Sequence, residues 1–117
     1  MATGLIPREE WTRFFDSFSL DHRGAIVTLE ALSPALGDQE VARGQVFRGI
    51  SADLKDGENR IAIMMGALND DSTTHAVIAP EQVWLNDAQG AAGETLEISC
   101  AEHASTLLHF EQQSLLR

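Results

Sequence analysis

The stretch Pro7-Arg8-Glu9-Glu10-Trp11-Thr12-Arg13-Phe14-Phe15-Asp16-Ser17-Phe18 decides the fold. Its apolar side chains, Trp11, Phe14, Phe15 and Phe18, stand at i, i+3, i+4 and i+7, one stripe along a 3.6-residue period. Four of the seven aromatic residues of the chain lie on that stripe. Pro7 suits the first helical position, where its missing N–H has no partner to lose. Glu9 and Glu10 set negative charge at the positive end of the helix dipole, and Glu9 can pair with Arg13 one turn on. Twelve residues make a helix that is marginal by itself. Burial of the stripe must hold it, at about 2–3 kcal/mol per buried aromatic, so the helix has to lie against something else.

Outward from that helix, the pattern changes from a period near four to a period of two. Met1 to Ile6 is expected to be a flexible lead. Leu20 to Gly24 should end the helix, with Gly24 at positive φ. Ala25 to Leu32 alternates, with Val27, Leu29 and Ala31 on one face. Ser33 to Gly44, containing Pro34, Gly37 and Gly44, reads as a long loop or irregular edge. Gln45 to Leu54 is a strand with a bulge expected at Gly49, and Asp56-Gly57 is a hairpin turn. Arg60 to Ala67 is apolar on both faces and should be covered on both. A turn at Asn69 to Ser72 leads into a short strand, Thr74 to Ala79, which Pro80 stops. Glu81 to Asn86 is a brief extended or single-turn piece, and Asp87 to Gly93 a Gly/Ala loop. Glu94 to Cys100 and Ala104 to Phe110 close the set, with Glu111 to Arg117 as a tail.

The expectation is a single α+β domain of 117 residues. An N-terminal amphipathic helix (7–18) packs on six or so antiparallel strands (25–110), as a meander sheet or a small, partly closed barrel. No segment approaches the roughly 18 apolar residues of a membrane-spanning helix, and Met1 to Ile6 lacks the basic-then-apolar order of a signal peptide. One cysteine, Cys100, rules out an intramolecular disulfide and suits a reducing compartment, so the cytoplasm is the expected location.

The net charge is −10 and unevenly spread. Residues 61–117 hold eight acidic side chains and only one basic one, Arg117. Nucleic acid and anionic membrane both demand clustered Lys and Arg, so neither is expected as a partner. An acidic half of this kind is a solvated face, or a docking surface for a protein with a basic surface.

Candidate chemistry is sparse. Cys100, His103 and His109 fall close in sequence but lack the fourth ligand and the paired spacing of a zinc site. A Cys–His nucleophile at the same residues would need an electropositive setting, which this half of the chain cannot supply. Asp70-Asp71 beside Thr73, Thr74 and His75 reads as a polar hairpin tip before it reads as an acid–base pair. No metal, cofactor or catalytic residue is expected. Trp84, in a loop-like context after Pro80, and His75 are the candidate contact residues.

Ile6-Pro7-Arg8-Glu9-Glu10-Trp11, Phe14-Phe15-Asp16, Gly49-Ile50-Ser51 ahead of Asp56-Gly57, and His75 to Val83 with its Pro80 are similar to a family of short bacterial proteins known only as a domain of unknown function. The resemblance spans most of the chain, implies a bacterial single-domain protein, and carries no catalytic residues. The expected function is a non-enzymatic binding or regulatory module for a protein or small ligand. The alternative is a structural or assembly protein that self-associates through a sheet edge. A small enzyme is the remote third.

Overall fold

A computed structural model describes residues 4–55, 59–66, 72–86, 94–100 and 104–111. The turn Asp56-Gly57, the pair Asp70-Asp71, the loop 87–93, His103 and all but the first residue of the tail lie outside the described residues.

The chain opens with β1 (Gly4–Ile6), a 3-10 turn (Arg8–Glu10) and helix α1 (Trp11–His22). Strands follow: β2 (Ile26–Ser33), β3 (Gly37–Asp53), β4 (Arg60–Gly66), β5 (Ser72–Ile78), β6 (Pro80–Asn86), β7 (Thr95–Cys100) and β8 (Ser105–Phe110). All eight strands join one antiparallel sheet in the order β1-β6-β7-β8-β2-β3-β4-β5. The architecture is therefore α+β, one helix on an antiparallel sheet, with two meanders (β2 to β5 and β6 to β8) joined side by side through β8 and β2.

That order makes the sheet curl. β5 is an edge strand and β6 is next to the opposite edge, yet only Ala79 separates them. One residue cannot cross a flat eight-stranded sheet, in which neighbouring strands are about 4.8 Å apart. The two ends must therefore meet at that corner. Ala79 turns there with φ 56°, a left-handed conformation uncommon for an alanine. Asn59 ties the corner down. Its carbonyl oxygen accepts from the Ala79 amide (2.9 Å), and its side-chain oxygen accepts from Arg8 Nη2 (2.8 Å). Arg8 in turn lies 4.8 Å over the ring of Trp11, whose Nε1 donates to the Ile6 carbonyl (3.0 Å). The sheet curls without closing, because β1 and β5 remain its two edges.

The helix fills the concave side. Trp11, Phe15 and Phe18 are buried, while Phe14 is only partly so. Phe18 meets Phe47 and Phe110 edge-on, at 6.1 and 5.2 Å between ring centroids. Inward-facing residues of every strand from β2 to β8 complete a single core that includes Val27, Leu29, Ile61, Ile63, Val77, Val83, Ile98 and Leu108. Beyond the start of β2, the helix takes that strand's place beside β3. The Ser19 hydroxyl accepts from the Ile50 amide (2.9 Å) and donates to the Ile50 carbonyl (3.0 Å), as a neighbouring strand would. Gly24 has φ 94°, as expected where the chain reverses from helix to strand. At the same end, His22 bonds the Phe18 carbonyl and, at 2.5 Å, the carboxylate of Glu94 at the threshold of β7.

Several expectations need correcting. The lead is not free to Ile6: Gly4–Ile6 pairs with Val83 to Leu85 of β6. The α-helix runs to His22, four residues past Phe18, and its first turn is 3-10. The described residues form eight strands, where six or so were expected. Most of Ser33 to Gly44 is strand, because β3 extends over seventeen residues from Gly37 to Asp53. Its first residues, Gly37 to Glu40, are exposed and offer no apolar face, where it forms an arm with β2 that projects past the end of β4. Glu81 to Asn86 is a full strand, paired with both β1 and β7. The expected bulge stands, with a register shift between Phe47 and Gly49. β4 is not covered on both faces. Ile61, Ile63 and Met65 are buried, but Met64 is 37% exposed on the outer side.

Candidate functional site

His75 lies on the concave face of β5, in register with Ile63 of β4. β4 ends at Gly66, opposite Val46, while β3 runs on in its pairing with β2, so that among the described residues a notch is left beside the arm. A cleft of about 300 Å³ occupies this notch. Val41, Ala42 and Gln45 line it from β3, Met65 from β4, and Thr73, Thr74 and His75 from β5. Two register shifts in the β2–β3 ladder, on either side of Leu29 opposite Ala42, bend the arm around it. The bidentate grip of Arg43 on the Glu40 carboxylate (Nε at 3.1 and 3.0 Å, Nη2 at 2.8 Å) spans the bend.

The chemistry of the cleft is polar without charge. Met65, Ala42 and Val41 are its apolar walls. The Thr73 hydroxyl, the Gln45 amide and an imidazole are its hydrogen-bonding groups, while Thr74 borders it with its backbone. Burial pushes the His75 imidazole below its ordinary range, so at neutral pH the ring is neutral and offers one donor and one acceptor. The sign of the linkage follows. A histidine held neutral in the fold stabilises it above the unfolded-state pKa of about 6.5, and that contribution is lost as pH falls towards the lower folded-state value. Replacing His75 with Gln should flatten the part of the stability–pH curve below about pH 6.5. Urea denaturation of both proteins between mildly acid and neutral pH measures it, and parallel curves would contradict it.

Trp84 and His75 do not form one surface. Trp84 projects from the outer face of β6, half-buried, opposite Leu5 of β1 and Glu97 of β7. The row continues through Leu107 to Glu30. It is strand, not loop, and its neighbours are alternately apolar and acidic.

Cys100 and His109 are likewise kept apart. Cys100 sits at one end of the β7–β8 hairpin, partly packed on the core, and His109 at the other, opposite Thr95. Burial first, and the Glu81 carboxylate second, push the Cys100 thiol above its ordinary range, the reverse of what a nucleophile needs. Among the described residues, no three His, Cys, Asp or Glu side chains gather as a metal-holding group.

One arrangement has no trace in the sequence. On the outer face, His109 Nε2 lies 2.9 Å from Glu30 Oε1 and its Nδ1 lies 3.1 Å from Thr95 Oγ1. The carboxylate can only accept, so Nε2 carries hydrogen and, in the neutral ring, Nδ1 accepts from the hydroxyl. Hydroxyl, imidazole and carboxylate thus stand in the order of a nucleophile, a base and its orienter. Acyl transfer also needs hydrogen-bond donors aimed at the developing oxyanion. Here β7 and β8 each have strands on both sides, so their amides serve the ladders. The chain of bonds ties three strands together across the outer face.

The chain belongs to a family of unknown function (DUF5335), whose model matches residues 2–117. It is similar to an uncharacterized protein of Aquifex aeolicus, 26% identical over 111 residues that cover 95% of this chain and 94% of that one. No solved structure matches it.

Proposed function

We propose that this member of the family is a non-enzymatic binding module, and that the cleft beside His75 holds a small, uncharged, partly apolar ligand. The observation that carries this reading is the lining itself. Three hydrogen-bonding side chains on the concave side, Gln45, Thr73 and His75, line about 300 Å³ with apolar walls, and none is charged. Such a site orients a ligand by donors and acceptors while making a charged one lose its hydration without a counter-charge. The chain's net charge of −10 weighs further against anions. Poverty in clustered Lys and Arg keeps nucleic acid and anionic membranes off the partner list, and the lone cysteine suits a cytoplasmic protein.

The methionines supply the test. Met65 lines the cleft, whereas Met64, its neighbour in sequence, projects from the opposite face. With methyl-labelled methionine, titration with neutral benzimidazole or nicotinamide should shift the Met65 methyl resonance saturably and leave Met64 in place. Benzoate should do neither, and His75→Ala should weaken the response at least about tenfold, the effect of losing one well-placed hydrogen bond. Failure of both neutral compounds to move Met65, or equal movement of the two methyls, would overturn the reading.

A further inference from the structure

We infer that β5 is an assembly edge, and that two copies of this chain pair there, strand against strand, about a two-fold axis. Three observations lead to it, and they concern the edge and outer face of β5, whose Thr73 and His75 line the cleft on the concave side.

The first is geometry. Among the described residues, β5 has a hydrogen-bonded neighbour on one side only. Its seven residues pair with β4 without interruption, from Ser72 opposite Gly66 to Ile78 opposite Arg60. The β2–β3, β3–β4 and β6–β7 ladders each carry a register shift, but this one has none. The edge is therefore regular along its whole length, with a row of N–H and C=O groups directed away from the sheet.

The second is composition. Strand edges are ordinarily protected by a lysine or other charge, a proline, a bulge or brevity. Ser72-Thr73-Thr74-His75-Ala76-Val77-Ile78 has no Asp, Glu, Lys, Arg or proline, and its Thr, Val and Ile favour strand. The other edge, β1, is only three residues long. One end of the sheet is protected by brevity and the other is left bare.

The third is charge, and it selects the occupant. Copies of a chain with net charge −10 repel one another over most of their surfaces. Along the outer face of β4 and β5, however, Ala62, Met64, Thr74, Ala76 and Ile78 carry no charge, with Ile78 64% exposed, and Arg60 opposite Ile78 is paired with Asp53 at 3.5 Å. A second copy can approach this strip without meeting the surplus of negative charge carried by the chain as a whole. An antiparallel edge is also self-complementary. A two-fold axis at His75 sets Thr73 opposite Val77 and Thr74 opposite Ala76 of the second copy, pairs that suit a ladder. Seven residues of edge bury little area, so the association is expected to be weak, with a dissociation constant on the order of micromolar or above.

Sedimentation of the full chain across that concentration range tests this, with two matched variants. Ala76→Lys adds a charge to an exposed position of β5, and Leu5→Lys adds one to an exposed position of β1. The unaltered protein should pass from monomer to dimer as concentration rises. Ala76→Lys should weaken dimerisation at least about tenfold, the usual consequence of a lysine on a pairing edge, and Leu5→Lys should leave it unchanged. Thr74→Lys, on the same outer side of β5, repeats the test if Ala76→Lys does not fold. A monomer at all concentrations, a dimer indifferent to both β5 variants, or one broken by Leu5→Lys would overturn the proposal.

Discussion

Phe15→Ala should cost about 3–5 kcal/mol of folding stability, the range for truncating a fully buried phenylalanine. Phe15 is 0% exposed and lies at the centre of the helix stripe. Its removal leaves a cavity under α1, and the surrounding side chains cannot collapse into it. Strand pairing fixes the sheet on one side, and Ser19 and the His22–Glu94 contact fix the far half of the helix on the other. A domain of this size is stable by about 5–15 kcal/mol in all, so the variant stands near the limit of folding. Phe14→Ala should cost clearly less, about 1–2 kcal/mol, because Phe14 only flanks the core. Urea unfolding of the two variants measures both. A loss below about 1 kcal/mol at Phe15 would mean that the helix is not docked.

Ser19→Ala should be the most costly polar substitution, at about 2–3 kcal/mol. Net hydrogen-bond contributions are ordinarily near 1 kcal/mol, but leaving buried partners unsatisfied costs more. Here one hydroxyl serves both the N–H and the C=O of Ile50, a residue only 2% exposed. Alanine would leave both groups unpaired where no strand lies alongside. The same variant should speed hydrogen exchange of the Ile50 amide well beyond that of Ile63, which pairs strand to strand with Ile50 across the β3–β4 ladder. Equal protection of the two amides in the variant would show that the hydroxyl is not the partner it is described to be.

The helix and the later strands were legible because their patterns are local. An aromatic stripe of period near four permits one burial geometry. The alternation of Leu96, Ile98 and Cys100 likewise marks a single inward face. The first half of β3 was illegible for a physical reason. Gly37-Asp38-Gln39-Glu40 has no face to bury, and its strand character comes wholly from pairing with β2. β1 is similar: three residues pair with a segment about eighty positions later, and nothing local requires it. The crossing at Ala79 was not legible, because in the sequence Pro80 reads only as the stop that ends β5. In the fold, that single residue carries the chain from one end of the sheet to the other.

The candidate site divides in the same way. His75 was singled out from its neighbourhood in the sequence. Its setting was not, because Ala42, Met65 and His75 meet only through the registers of β3, β4 and β5. Thr95 and Glu30 gave no signal at all, and His109 was weighed only beside Cys100, because the three are brought together from three strands. Trp84 was misread as a loop residue because its partners, Leu5 and Glu97, belong to distant strands.

By itself, then, the sequence determined which segments must hide an apolar face, that one of them is a helix, and that the chain carries a net charge of −10. The tertiary structure alone decided which residues face each other, where the sheet bends and which edge is left bare. The reason is that periodicity specifies the side of an element that avoids water, whereas register and strand order are settled by the summed packing of all eight strands on one helix.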